Sequence, residues 1–241
     1  MNRNLAGALI AVGCAGPGAT PDTGPATGPL VALEGQITDL LTAAGVGGAE
    51  ICVEGTGDCT TSDPSGAYRV RAPAEARVEL VVTRADHRAL LVPVQTQSED
   101  ATLRPLSLLP EGIIDAQASA VNATGDPALG QVVFSVSNGI PGDGVNVEGV
   151  EASLEPDSGV GPFYLGAIGL PDDALESTSA NGGGGWMDVS PGDAALLFED
   201  LPLGCFVLFG WEGPTPLRFR VRPAHATVLR IECPAAEADS G

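Results

Sequence analysis

Carboxylates are the most abundant side chains that could carry chemistry in this sequence. The chain of 241 residues has 31 acidic and 11 basic residues, which gives a formal charge of −20 at pH 7. The candidate metal ligands among its acidic stretches are Asp143, Asp157, Asp172 and Asp173. Carboxylate and carbonyl oxygens suit a hard cation, so calcium is the cofactor that these stretches could bind as an alternative. No Asp-x-Asp-x-Asp-Gly loop accompanies them, so acidic loops without a metal are the interpretation that we favour, and we expect no cofactor.

The same carboxylates could act as a general acid and base, as the paired acids of glycoside hydrolases do. That chemistry needs one carboxyl group whose pKa is raised by burial or by a like-charged neighbour. Asp172 and Asp173 instead follow Pro171, an arrangement typical of the first turn of a helix. The two histidines, His87 and His225, lie in polar turns, and no Gly-x-Ser-x-Gly elbow precedes a helix. We therefore expect no enzymatic activity.

Every basic side chain is an arginine, since the sequence contains no lysine. This excludes a P-loop lysine, a Schiff-base lysine and a lysine general base. Residues 105–217 form a stretch of 113 positions without any lysine, arginine or histidine. A chain this acidic is repelled by nucleic acid and carries no polybasic patch for an anionic membrane surface. We expect no nucleic-acid partner.

Three of the arginines alternate along one predicted strand and form a positive stripe: Arg218, Arg220 and Arg222. The stripe could bind an anionic ligand or polymer. The alternative is pairing across neighbouring strands with Glu151 and Glu155, which also face outward in the predicted pattern. Cross-strand pairing is the interpretation that we favour.

Aromatic residues make up only 4% of the chain. Trp211, Tyr164 and Phe163 could form a platform for a carbohydrate, but so few aromatic side chains are more typical of a core. The glycines at 182–185, before Trp186, could cradle a phosphate. A phosphate cradle needs a strand before it and a helix after it, and neither is evident, so we interpret these glycines as a flexible turn.

The first residues have the pattern of an export signal. Arg3 precedes an apolar run at 5–12, and the sequence AVGC stands at 11–14. This pattern resembles the lipobox of bacterial lipoprotein signal peptides, with alanine where leucine is usual. The resemblance implies that residues 1–13 are removed and that Cys14 carries lipid; the alternative is a plain secretory signal cleaved nearby. The apolar run is shorter than the about 20 residues that a membrane-spanning helix needs.

Residues 14–29 consist of Gly, Pro, Ala and Thr, apart from Cys14 and one aspartate. This composition predicts a flexible tether. Two or more lipid chains anchor a protein stably, so we expect the membrane to be a partner through Cys14. Alanine rather than aspartate follows Cys14, which resembles the pattern of lipoproteins retained in the outer membrane. We expect a lipid-anchored protein of the cell envelope, on a side of the outer membrane that the sequence leaves open.

Four further cysteines remain, which is an even number in a chain that carries an export signal. Their spacing gives two pairs, Cys52 with Cys59 and Cys205 with Cys233. Neither pair has the CxxC spacing of a zinc site. We predict two local disulfides, one on an exposed hairpin and one buried between late strands.

Apolar and polar residues alternate through most of the remaining chain, as Val78, Leu80 and Val82 do with their neighbours. Further alternating stretches lie at 49–53, 132–136, 150–154, 217–221 and 229–233. Strands of this kind have one face in a core and the other in solvent. Such strands, separated by Gly, Pro and Asp turns, predict an all-β fold built from antiparallel β-sandwiches. The helix-like stretches are short, at 37–44 and 172–176.

An internal repeat sets the expected number of domains. Each copy has a Gly-Gln strand, a Gly-x-Glu strand, a Thr-Ser turn, an aromatic residue and a further strand. The first copy lies at 35–83 and the second at 130–199, where residues 156–176 enlarge it. We predict two tandem antiparallel β-sandwich domains, transthyretin-like or immunoglobulin-like, and a tail, at 30–110, 111–236 and 237–241.

The first copy also carries a family pattern. It consists of GQITD at 35–39, GAEI at 48–51, the turn at 61–68 that ends in Gly-Ala-Tyr, and VELV at 78–81. This pattern resembles the carboxypeptidase regulatory-like domain, a transthyretin-like β-sandwich that is also similar to the B-type repeats of surface adhesins; the second copy fits it loosely. The resemblance implies a non-catalytic scaffold for envelope structure, adhesion or binding of a protein or glycan partner. The alternative is an accessory binding protein with a calcium or carbohydrate site in the second domain.

Overall fold

The computed structural model describes residues 28–138, 144–166, 169–202, 204–207, 211–213 and 215–234. Strands make up most of this part of the chain, so the all-β prediction is confirmed. The segment before residue 110 contains β1 (Leu30–Asp39), β2 (Glu50–Val53), β3 (Cys59–Thr61), β4 (Ala67–Pro73), β5 (Arg77–Thr83), β6 (Ala89–Gln95), β7 (Ala101–Thr102) and β8 (Leu106–Leu108).

A helix, α1 (Glu111–Ala120), opens the second segment. The strands that follow it are β9 (Gly130–Asn138), β10 (Val145–Asn146), β11 (Glu151–Glu155), β12 (Val160–Tyr164), β13 (Gly183–Val189), β14 (Gly192–Glu199), β15 (Phe206–Val207), β16 (Trp211–Glu212), β17 (Leu217–Val221) and β18 (His225–Glu232).

Each segment contributes two facing sheets with an apolar core between them. In the first, β4, β1, β7 and β8 face β3, β2, β5 and β6, and the core contains Leu33 and Leu80. In the second, β12, β13, β9 and β18 face β11, β14 and β17, and the core contains Phe134, Leu196 and Ile231. The two sandwiches therefore have the same arrangement of sheets.

A short parallel ladder joins the two sandwiches into one continuous sheet. Strands β6 and β18 pair over three residues, ending where Leu91 lies opposite Thr227. Two positions further on, Pro93 has no backbone N–H to donate, which explains why the ladder stops. Beyond Leu91, β6 continues along β5 while β18 continues along β9, so the sheet forks.

The predicted domain boundary at residue 110 falls between β8 and α1. The continuous sheet crosses it, and so does the first core, which includes Ile114, Phe163, Met187 and Ala226 from the second segment. The division into two domains stays a prediction. The predicted signal at 1–13, the predicted lipidation of Cys14 and the predicted tail at 237–241 lie outside the described residues.

The two predicted helices are wrong. Residues 37–39 belong to β1, where Ile37 and Asp39 pair with β8, and a turn follows them; residues 172–176 form a turn. The helix that does form, α1, begins after Pro110 with Glu111 in its first turn and buries Ile114 and Gln117. Ten residues with a weakly apolar face give too little periodicity to be recognised in the sequence.

A buried hydroxyl holds one corner of the first sandwich. Ser62 Oγ accepts a hydrogen bond from the backbone N–H of Ala49 (2.9 Å) and donates one to the carbonyl of Val46 (2.8 Å). The carbonyl of Ser62 accepts a further bond from the N–H of Gly48 (2.9 Å). Because the serine is only 4% exposed, water cannot replace these bonds.

The second sandwich repeats this corner with a threonine. Thr178 Oγ1 accepts a hydrogen bond from the N–H of Val150 (3.0 Å) and donates one to the carbonyl of Val147 (2.7 Å). Its carbonyl accepts the N–H of Gly149 (2.8 Å). Thr178 is therefore the residue equivalent to Ser62. Aligning the two Thr-Ser turns by sequence pairs Ser62 with Ser179 instead, which is one residue away.

Backbone hydrogen bonds also show which residues of β1 and β9 are equivalent. Ile37 on β1 is bonded to Val46 and Gly66. Val136 on β9 makes the same two bonds, to Val147 and Gly182. The repeat is thus real, but Ile37 corresponds to Val136, four residues from the Val132 that the sequence predicts. The Gly-Gln pairs that suggested the alignment do not occupy equivalent positions.

Glycine and an aromatic residue have exchanged strands between the two sandwiches. In the first, Gly35 on β1 lies opposite Tyr68 on β4, and a Cβ at Gly35 would lie 2.7 Å from the Tyr68 hydroxyl oxygen. In the second, Phe134 on β9 lies opposite Gly184 on β13, and a Cβ at Gly184 would lie 2.9 Å from the phenyl ring. Each ring occupies space that a side chain on the facing glycine would need.

Both predicted disulfides are confirmed. Cys52 and Cys59 lie directly opposite each other on β2 and β3 and are bonded, on a hairpin where Cys59 is exposed. Cys205 and Cys233 are bonded and fully buried in the second core. Closing loops of this kind stabilises a fold by roughly 2–4 kcal/mol each.

Removing the corner hydroxyl should destabilise either sandwich. We expect Ser62→Ala and Thr178→Val each to lower the free energy of unfolding by about 1–3 kcal/mol, because a buried N–H loses its acceptor. Thr178→Ser keeps the hydroxyl and should cost much less, and Ser153→Ala on an exposed position of β11 should cost almost nothing. Urea denaturation measures all four; equal stability of Thr178→Val and Thr178→Ser would contradict the role of the hydroxyl.

A double-mutant cycle tests the glycine–tyrosine pair. We expect Gly35→Ala to lower the free energy of unfolding by about 1–3 kcal/mol, since the new methyl group overlaps the Tyr68 ring. In a Tyr68→Leu background the same substitution should cost clearly less. An identical cost in both backgrounds, measured by urea denaturation, would mean that the strain comes from the backbone alone.

Candidate functional site

The acidic residues predicted as metal ligands do not converge where the structure describes them. Asp157, Asp172 and Asp173 are exposed, and Asp143 lies outside the described residues. Within the described ranges, no three His, Cys, Asp or Glu side chains group as a metal site would require. Asp172 Oδ1 accepts the N–H of Ala174 (3.1 Å) and so stabilises its own turn. The alternative of a calcium site at these residues stays a hypothesis.

The histidines bond locally, as turn residues do. The Nδ1 atoms of His87 and His225 lie 2.9 and 2.7 Å from the carbonyls of Ala85 and Pro223. His87 Nε2 also lies 4.0 Å from Asp39 Oδ2.

The aromatic residues and the glycine run belong to the second sandwich rather than to a ligand platform. Phe163 and Tyr164 are 7% and 3% exposed, so the carbohydrate platform is wrong for these two; the side chain of Trp211 lies outside the described residues. The glycines at 183–185 lie inside β13, not in a flexible turn. A Cβ on Gly185 would lie 2.2 Å from a backbone oxygen of β9, so close strand packing requires glycine there.

A cleft of about 580 Å³ lies at the junction of the two sandwiches. Helix α1, the end of β1 and strand β8 lie on one side of it, and β18, β9 and β13 form the other. We call it the junction cleft. Its lining residues are Leu40, Leu41, Leu90, Leu106, Ser107, Leu109, Ile113, Ala116, Gln117, Val133, Phe134, Ser135, Leu165, Gly169, Leu170, Asn181, Gly183, Val228 and Arg230.

Arg230 is the charged residue of this lining. Burial lowers the pKa of its guanidinium, and the positive charge of Arg104 lowers it further, while Glu232 and Tyr68 act in the opposite direction. Glu232 is 4% exposed and forms an ion pair with Arg104, whose Nε lies 2.9 Å from Glu232 Oε1. Arg230 therefore stands in an apolar wall beside a carboxylate that is already paired.

Arg230 lies beside the gap that opens between β6 and β18 beyond Leu91. A small cavity of about 20 Å³ lies in the fork between β6 and β18, lined in part by Pro93, Arg104 and Arg230. Leu106, Val228 and Arg230 line both this cavity and the junction cleft. The proline that ends the ladder thus opens the space beside which the guanidinium lies.

A pair of amide side chains joins helix α1 to β9 beside the cleft. Gln131 Nε2 on β9 donates to Gln117 Oε1 on α1 at 3.1 Å, and both residues are at most 3% exposed. Gln131 Oε1 is buried without a described partner. This amide pair fixes the helix against the sheet that forms the floor of the cleft.

Two leucines stand at the mouth of the cleft. Leu40 and Leu41 are 44% and 65% exposed. The turn that carries them is fixed, because Asp39 Oδ1 accepts the N–H groups of Leu41 (3.0 Å) and Thr42 (2.9 Å) and the Thr42 hydroxyl (2.9 Å). The bonds from Thr42, above all, hold the pKa of Asp39 below its ordinary value.

Sequence reasoning missed the cleft because it assigned the second face of β18 to solvent. Val228, Arg230 and Glu232 alternate with apolar residues, as on a half-exposed strand, yet the first sandwich and β8 cover this face as well. The available signal was an arginine between two apolar residues, Leu229 and Ile231, of β18. Which face it occupied depended on contacts with residues more than 100 positions away.

A cluster of charges lies on the other face of the junction. Arg222 pairs with Glu54 and lies 3.8 Å from Glu79, and Arg220 lies 3.9 Å from Glu79. Glu54 and Glu79 belong to the first sandwich, so the expected pairing of these two arginines with Glu151 and Glu155 is wrong. Burial raises the pKa of Glu79, and the charges of Arg220 and Arg77 offset this only in part.

The described part of the chain holds no helix with the length and apolar character that crossing a membrane requires. No family model matches the sequence, and no curated protein matches it.

Similar solved structures include the minor pilin of Streptococcus agalactiae, with 10% identity, a TM-score of 0.31 and coverage of 88% of this chain and 98% of the pilin. A streptococcal ancillary pilin has 12% identity, a TM-score of 0.27 and coverage of 85% and 62%. The shaft pilin SpaA of Lactobacillus rhamnosus GG has 7% identity, a TM-score of 0.27 and coverage of 87% and 99%. TM-scores this low carry no argument about function, which follows from the side chains themselves.

The raised pKa of Glu79 gives a stability effect with a defined sign. Its charged form is disfavoured in the folded state, so the carboxylate costs stability at neutral pH, and the cost disappears as the pH falls through the raised pKa. We expect Glu79→Gln to be more stable than the natural chain near pH 7 and the difference to shrink towards about pH 4. Urea midpoints across this range, with the exposed Glu99→Gln as control, measure it. A variant less stable at neutral pH would mean that the arginine contacts outweigh burial.

Proposed function

We propose that the protein is a non-catalytic lipoprotein of the bacterial cell envelope. In this proposal two β-sandwiches on a lipid anchor form a structural and binding scaffold.

The composition of the junction cleft carries the non-catalytic part of the proposal. Its lining contains no histidine, cysteine, aspartate or glutamate among the described residues. General acid–base and nucleophilic catalysis need such groups within reach of a bound substrate. Glu79, the carboxyl group with a raised pKa, lies between arginines instead of in the cleft. The cleft offers groups that can hold a ligand, but no general acid or base.

The disulfides support an extracytoplasmic location. Disulfides persist in oxidising compartments and are rare in the cytosol. Neither bond links the two sandwiches: Cys52–Cys59 lies in the first and Cys205–Cys233 in the second. They stabilise each sandwich locally, and the ladder of β6 and β18 holds the sandwiches together, which suits a protein that works outside the cell.

The proposed anchor precedes the fold directly. The first described strand begins at Leu30, sixteen residues after Cys14. A lipid on Cys14 would therefore attach the first sandwich to the membrane through residues 15–29, a segment that is rich in glycine and proline. The outer membrane is the proposed location.

Fractionation of cells tests the anchor. We expect the natural chain to sediment with membranes and Cys14→Ser to be found in the soluble fraction, because the thiol that would carry lipid is gone. Ala15→Ser, with the neighbouring residue changed, should stay with the membranes. Incorporation of a labelled fatty acid in the natural chain but not in Cys14→Ser gives a second readout. Membrane partition of Cys14→Ser equal to that of the natural chain would overturn the lipoprotein proposal.

A further inference from the structure

We propose that the junction cleft is a binding site for a small amphipathic anion, an apolar chain that ends in a carboxylate, with the carboxylate paired to Arg230. This inference goes beyond the scaffold role and does not depend on the lipid anchor, since every residue that it uses lies between Asp39 and Glu232.

The size and lining of the cleft fit an apolar chain. Its volume of about 580 Å³ falls within the range of about 300–1,000 Å³ that is usual for small-molecule sites. Leucine, isoleucine, valine, alanine and phenylalanine form most of the wall. Polar groups are few: Ser107, Gln117, Ser135 and Asn181. A mostly apolar wall with a few polar groups selects a ligand that is apolar along most of its length.

The charge of the lining selects the sign of the ligand. The protein has 31 acidic residues and 11 arginines, yet the described lining contains one arginine and no carboxylate. An anion can therefore enter this cleft without meeting a negative side chain, although the chain as a whole repels anions. A cationic ligand would have to lie beside the guanidinium without a counter-charge.

Arg230 has capacity for such an anion. Its side chain is partly buried, burial lowers the pKa of its guanidinium, and no described oxygen accepts a hydrogen bond from it. Glu232, the neighbouring carboxylate on the same face of β18, is already paired with Arg104, whose Nε lies 2.9 Å from Glu232 Oε1. A buried cation without a hydrogen-bonded partner is costly, and an arginine–carboxylate pair can form two parallel hydrogen bonds. A ligand carboxylate would supply the missing acceptor.

The mouth of the cleft supports an apolar ligand independently. The large apolar side chains that are exposed in the described part of the chain are Leu30, Leu40, Leu41 and Val145, and two of them stand at this mouth. The hydrogen bonds to Asp39 hold their turn in place. Apolar side chains fixed beside an apolar cleft extend it outward and can cover the tail of a ligand.

Three ligands with the same tail separate the contributions of chain and charge. Isothermal titration calorimetry would use the full chain carrying Cys14→Ser, which keeps it free of its own lipid. The ligands are dodecanoate and dodecylammonium below their micellar concentrations, and dodecanol below its solubility limit. We expect saturable binding of one dodecanoate per chain. Dodecanol should bind about tenfold or more weakly, as expected for the loss of a charge-assisted hydrogen bond, and dodecylammonium should bind weakest.

Variants assign the binding to Arg230 and to the cleft. Arg230→Gln should weaken dodecanoate binding by about 10- to 100-fold and leave dodecanol binding nearly unchanged. Arg71→Gln, at an exposed position on β4, is the matched control and should bind like the parent. Ala116→Trp on α1 should fill the cleft and abolish the binding of both ligands, and far-ultraviolet circular dichroism would show that each variant is folded.

Several results would overturn the proposal. They are absence of saturable dodecanoate binding, equal binding of the three ligands, unchanged affinity in folded Arg230→Gln, or unchanged affinity in folded Ala116→Trp. A cleft that is covered by a protein partner or by another part of this chain would give the first of these results. Failure of the membrane-release test with Cys14→Ser would leave the binding result intact, so the two proposals fail separately.

Discussion

The parallel ladder between β6 and β18 is the interaction on which the rest of the structure depends. It consists of only three residue pairs, yet it turns two four-stranded layers into one sheet. It brings the face of β18 that carries Arg230 under the first sandwich, and it brings Arg220 and Arg222 to Glu79 on the opposite face. The cleft, the fork and the charge cluster are all consequences of where this ladder begins and where Pro93 ends it.

The sequence predicts which residues of a single strand are buried, but it does not predict the contacts between strands that are distant in the chain. The buried positions Val132, Phe134 and Val136 follow from alternation, and both disulfides follow from cysteine spacing and facing. Alternation identifies the two faces of a strand but not what covers each face. Arg230 therefore looked like a solvent residue, because the strand that would bury it lies far away in the sequence. The candidate site, being built at a junction, was invisible for the same reason.

The repeat shows how a fold is kept while its residues change. Ser62 and Thr178 provide the same hydroxyl at the same corner, and the facing pair of glycine and aromatic ring is preserved with its members exchanged between strands. What is conserved between the copies is a set of hydrogen bonds and a volume shared across two strands. Aligning the two Gly-Gln pairs misaligned β1 and β9 by four residues, because the packing does not require Gly-Gln at equivalent positions.

The position of β18 in the chain has a consequence for biosynthesis. Strand β6 is apolar, and β18, which pairs with one of its edges, comes only at residues 225–232. While the chain is being made, β6 has no partner on that side, and an unpaired apolar edge invites pairing with other chains. The first sandwich cannot finish its sheet until residues 225–232 have been synthesised. Pro93 thus has a second role, since a proline in that edge limits pairing with other chains until β18 has been synthesised.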